Sequence, residues 1–146
     1  MELKDKSEKY LKAADKLADD VELNITSIHC AYYGCYQLLL HYIDELNGIT
    51  EEERKEQYEG YKNSDIAGRK LGLHEYWIKE FSRIIFRENN DDANNRDIDD
   101  VINKIKELKE FRAAADYTKR GFTTDKTRQI INNAKLVVEK INNILE

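Results

Sequence analysis

Arg112 interrupts an otherwise apolar helical stripe. Ile98, Val101, Ile105, Leu108, Arg112 and Ala115 recur at steps of three and four residues, the spacing of one face of an α-helix. A guanidinium on a buried face costs free energy unless it is paired, and two kinds of partner fit. Asp116, one turn on, would make the arginine half of an ion pair that fixes helix packing. The other partner is a ligand, because the planar fork of a guanidinium binds the oxygens of a phosphate or an RNA backbone bidentately. The surrounding segment is the one clearly positive stretch of the chain, with Lys109, Arg112, Lys119, Arg120, Lys126 and Arg128 against Glu110, Asp116 and Asp125. Cations gathered at a helix end are also an ordinary response to the helix dipole.

The histidines divide by position. His74 heads a second strong stripe, continued by Trp77, Ile78, Phe81, Ile84 and Ile85. Near a helix N-terminus the dipole favours a neutral ring or a bound anion, so His74 reads as a packed or capping residue or as a catalyst. His29 and His41 lie on a helix among bulky apolar neighbours and read as packing. Cys30 and Cys35 stand about 140° apart around one helix axis and so do not bridge each other. Both read as small core residues. No CxxC or CxxxH pair offers a structural zinc site, and no metal or cofactor is expected.

The elements that position these residues follow from periodicity. Ser27 to Asn47 is apolar on nearly every side, through Ile28, Ala31, Cys35, Leu38 and Tyr42, then Tyr32, Leu39, Ile43 and Leu46, then Tyr33, Tyr36 and Leu40. Such a helix belongs at the centre of a bundle, capped by Thr26 or Ser27 and ended by Gly48. Cys30, Ala31 and Gly34 give it a flat strip where a second helix can approach, from the same chain or from another copy. A helix over about Leu3 to Asp20 precedes it, with Asp15, Asp19, Lys12 and Lys16 read as a solvated face. A helix from Leu73 to Arg87, one from Ile98 to Tyr117 capped by Asp97, and one starting at Thr123 or Thr124 follow. Between Ile49 and Gly72 the periodicity fades and the chain reads as an exposed, charged excursion, in which Thr50 and the acids after it are able to start a short helix. The spacing therefore predicts an all-α, up-down bundle of about five helices in a single domain.

Composition narrows the function classes. The 146 residues contain no proline, 36% are charged, and the net charge is −5. An acidic chain does not grip nucleic acid by bulk charge, so any such role must be local. The N-terminus has no signal-type apolar segment and nothing later is long and apolar enough to span a bilayer. The expectation is a reduced, cytoplasmic, soluble protein.

In order, YLKAADKLADD, AYYGCYQLLL, His74 followed by WIKEF, LKEFRAAADY and an apolar-striped C-terminal helix resemble a small stand-alone prokaryotic HEPN domain of the subgroup with an R-x-x-A-D-Y signature. The resemblance covers nearly the whole chain outside Ile49 to Gly72 and Asn89 to Arg96. It implies a homodimer with Arg112 near the dimer cleft. Many HEPN proteins are metal-independent ribonucleases in which a histidine follows the arginine along the helix. Here Arg112 matches, but after four intervening residues stands Tyr117, followed by Thr118 and Lys119. A phenol, titrating near about 10, is a poor base at neutral pH. The resemblance thus implies a non-enzymatic dimer that binds a nucleotidyltransferase-like partner protein or a nucleotide, in a toxin-antitoxin or defence setting. Arg112, Asp116, Tyr117, Lys119 and Arg120 are its binding residues. The alternatives are a metal-independent ribonuclease of RNA using Arg112 with Tyr117 or His74, and a purely structural bundle.

Overall fold

The computed structural model describes residues 2–65, 68–88, 92–117 and 122–146, and every regular element among them is helical. The order is α1 (Leu3–Leu17), a 3-10 turn (Val21–Leu23), α2 (Asn24–Asn47), α3 (Glu51–Lys62), α4 (Leu73–Glu88), α5 (Asp92–Tyr117) and α6 (Thr124–Leu145). The architecture is an all-α bundle with α2 packed against α1, α4, α5 and α6.

Hydrogen bonds set the register around α2. The Ser7 hydroxyl donates to the Gly34 carbonyl at 2.6 Å and that of Ser27 to the Ala14 carbonyl at 2.7 Å, so α1 and α2 run antiparallel. The small strip serves this pair: a Cβ on Gly34 would lie 2.8 Å from Leu11 Cγ and 3.3 Å from the Ser7 carbonyl oxygen. Along α6, Cys35 Sγ meets the Ala134 carbonyl and the Tyr42 hydroxyl donates to Asn142, which makes α2 and α6 parallel. The core is filled by Trp77, Phe81, Ile84 and Ile85 of α4, Ile98, Ile105 and Leu108 of α5, and Ile130, Ala134, Val137 and Ile141 of α6, all buried.

Several element boundaries move, each for a local reason. Asp20 caps the 3-10 turn by accepting from the Glu22 amide, so α2 starts early and Thr26 and Ser27 lie inside it rather than at its cap. Gly48 does end α2, at φ +63°, a conformation glycine adopts without a Cβ clash. The excursion is not a loop throughout. Thr50 and Glu53 form a reciprocal capping box that starts α3, and α3 is pinned to the bundle by side chains. Arg54 donates to Asp44 at 2.7 Å, Gln57 to the Tyr76 hydroxyl at 3.0 Å, and Tyr61 packs on Tyr76 with ring centroids 4.6 Å apart. Asp97 is no cap, since α5 already begins at Asp92; the stretch before it is polar but holds no proline or glycine to stop a helix. The outer face of α1 is not merely solvated either. Arg128 of α6 bonds Asp15 at 2.9 Å and Asp19 at 2.8 Å, and Lys135 reaches Asp15 at 2.6 Å.

Candidate functional site

The antiparallel pairing of α2 with α5 lays out successive rungs. Asn24 donates to the Phe122 carbonyl just beyond the end of α5, His29 Nε2 meets Asp116 Oδ1 at 2.8 Å, and Arg112 Cζ lies over the rings of Tyr33, at 5.2 Å, and Tyr32, at 5.6 Å. One turn separates 29 from 33 and 112 from 116, so the rungs adjoin. Asp116 is therefore taken by His29, and the expected ion pair with Arg112 does not form. The reason is geometric: Asp116 faces α2 at the level of His29, whereas Arg112 is covered by tyrosines. Among the described residues no carboxylate pairs with Arg112, and its buried Nε has no hydrogen-bond partner. Cation–π contact offsets part of that burial.

His74, at the start of α4, comes to the same place. Its ring stacks on Tyr36 with centroids 4.2 Å apart and planes 9° apart, lies 5.6 Å from Tyr32 and 6.0 Å from Tyr33, and its Nδ1 is 2.7 Å from the Tyr32 hydroxyl. Burial first, then the charges of Arg112 and Lys109, lower its pKa to about 4, so the free site holds a neutral imidazole at neutral pH. Burial also pushes the Tyr32 and Tyr36 phenols upward, and both remain protonated. Lys109 stands at the edge, 3.5 Å from Glu75. From that pair an open groove of about 660 Å³ follows α4 and α5, floored by Ile78 and Leu71.

The other sequence candidates part company. Tyr117 is 88% exposed at the end of α5 and joins none of these contacts. Lys119 and Arg120 lie outside the described residues. Lys126 sits 4.6 Å over the Phe111 ring and Arg128 bonds Asp15 and Asp19, so among the described residues of the positive segment Arg112 is left without an acid. Sequence reasoning passed over His29, whose signal was its place four residues before Tyr33 on the row that continues to Tyr36 and Leu40. It also read Tyr32, Tyr33 and Tyr36 as core alone, when their ring faces receive Arg112 and His74.

Among the described residues no three His, Cys, Asp or Glu side chains gather as a metal set, and no helix is long and apolar enough to cross a membrane. No family model, curated protein or solved structure matches this chain.

Proposed function

We propose that this chain is a non-enzymatic binding protein that takes a nucleotide, with the phosphate at Arg112. The observation that carries this reading is an arginine on which, among the described residues, no acid lies although Asp116 stands one turn away, because a half-buried guanidinium without a carboxylate retains its preference for phosphate oxygens. The rings beside it support a base as well: Tyr33 and Tyr10 lie 5.9 Å apart, and Tyr10 is 37% exposed, which offers aromatic surface for stacking. The HEPN resemblance adds a homodimer whose cleft holds Arg112, and a nucleotidyltransferase-like partner of a toxin-antitoxin or defence system. Titrating the protein with AMP, beside its Arg112→Gln variant, tests the site. Saturable binding that disappears in a folded variant is the expected result. Equal binding by both proteins removes Arg112 from the site. Sedimentation at low micromolar concentration tests the dimer separately, and a monomer alone would contradict it.

A second reading, a metal-independent ribonuclease, is favoured by the His29–Asp116 pair. An imidazole oriented by a carboxylate is an arrangement used for proton transfer, and here it adjoins an arginine able to stabilise a phosphorane. On this reading His29 takes the role first considered for Tyr117 or His74. Incubation of labelled RNA with EDTA separates the two: cleavage lost in both His29→Ala and Arg112→Ala would make the protein a nuclease, and no cleavage above background leaves the binding reading.

A further inference from the structure

We propose that the phosphate this site accepts is a doubly charged terminal one, held between Arg112 and His74, and that His74 takes up a proton as the phosphate arrives. The inference rests on the phosphate reading above and deepens it. Its geometric basis is that both side chains lie against the same two rings, Arg112 at 5.6 and 5.2 Å and His74 at 5.6 and 6.0 Å from Tyr32 and Tyr33. With Nδ1 turned to the Tyr32 hydroxyl, the Nε2 edge bonds no described residue and is left for a ligand.

The charges around the imidazole explain the proton. Tyr32 and Tyr36 face it from α2 with phenols that burial keeps protonated, the Tyr33 ring meets it edge to face, and Arg112 and Lys109 on α5 repel a proton. On its own helix the neighbouring acid is Glu75, which is engaged by Lys109 and, at 3.9 Å, by Arg69. Asp116 is turned to His29. Among the described residues no acid is therefore left to favour the imidazolium, and burial and the two cations hold the ring neutral. An incoming anion reverses the sign of the local field. A phosphate monoester, whose second ionisation lies near about 6, brings two charges; a phosphodiester brings one. The dianion thus gains both from Arg112 and from the imidazolium it creates, and the site discriminates by charge.

Linkage fixes the sign of the pH dependence. The liganded His74 has the higher pKa, so affinity rises as pH falls, by up to about tenfold per pH unit between the liganded value and the free value near 4. Sulfate is the diagnostic probe, because it stays a dianion throughout that range and any pH effect belongs to the protein. We would titrate the full-length protein with sulfate, AMP and cyclic AMP, a monoanionic diester, following affinity by calorimetry and the His74 ring by NMR. The expected result is a His74 pKa raised by at least about one unit in sulfate or AMP, sulfate affinity that climbs on acidification, and cyclic AMP binding about tenfold weaker or more. In His74→Gln, which keeps a donor but cannot titrate, the sulfate affinity should become flat with pH; the wild-type titration decides the matter even if that variant does not fold. AMP binding that requires Arg112 but leaves the His74 pKa unmoved, or cyclic AMP binding as tightly as AMP, overturns this inference and spares the phosphate reading. No binding by any of the three probes overturns both.

Discussion

Replacing Arg112 by methionine, beside the same replacement at Arg54, contrasts an arginine without an acid with one that has one. Arg112→Met loses two cation–π contacts worth about 0.5–1 kcal/mol each. It also removes a buried donor with no partner, which otherwise costs about 1–3 kcal/mol. These oppose each other, so the net change should run from about 1 kcal/mol of loss to about 2 kcal/mol of gain. Arg54 is 5% exposed and its Nε donates to Asp44 at 2.7 Å; Arg54→Met strands that carboxylate, at a cost of about 3–5 kcal/mol at neutral pH. Burial already raises the Asp44 pKa despite the opposing pull of Arg54. A carboxyl whose folded pKa is raised adds stability below its unfolded value and loses it as pH rises through the folded one. The Arg54→Met penalty should accordingly shrink under acid conditions, where Asp44 accepts a proton. Urea unfolding followed by helical circular dichroism measures both variants, read as midpoint shifts at constant m-value. An Arg112→Met loss as large as that of Arg54→Met would refute the reasoning, because Arg112 would then be a structural cation and the phosphate site would lose its basis.

Three further outcomes follow from the packing. Gly34→Ala puts a methyl 2.8 Å from Leu11 Cγ and should lower stability by about 1–3 kcal/mol in thermal melts; unchanged melting would mean that α1 yields freely. Thr50→Val removes the capping box of α3 and should cost about 1 kcal/mol, read as faster amide exchange confined to α3. Lys135 first, and then Arg128, hold the Asp15 carboxyl below its usual 3.8, so its contribution is present above that value and is lost as pH falls through the depressed one. Asp15→Asn should therefore flatten the acid limb of the stability curve, and an unaltered limb would show that the bridge is worth nothing.

The anomaly at Arg112 was legible because a helical period needs only neighbours on the same helix: an arginine among Ile105, Leu108 and Ala115 stands out in one dimension. The same holds for the central helix, its Gly48 end, the Thr50 cap and the all-α architecture, each set by residues within a few positions of one another. Partner choice was not local. Asp116 and Arg112 have intrahelical spacing, yet the register of α5 on α2 gave Asp116 to His29 and Arg112 to Tyr32 and Tyr33, pairings between residues far apart in the chain that no pattern within one helix encodes. The approach of the α4 N-terminus to the same tyrosines, which brings His74 beside Arg112, also depends on how three helices pack at once. The helical period alone marks which residues are chemically out of place, and the packing of α2, α4 and α5 selects which of them meet, because side-chain order along a helix is a local property and contact between helices is not.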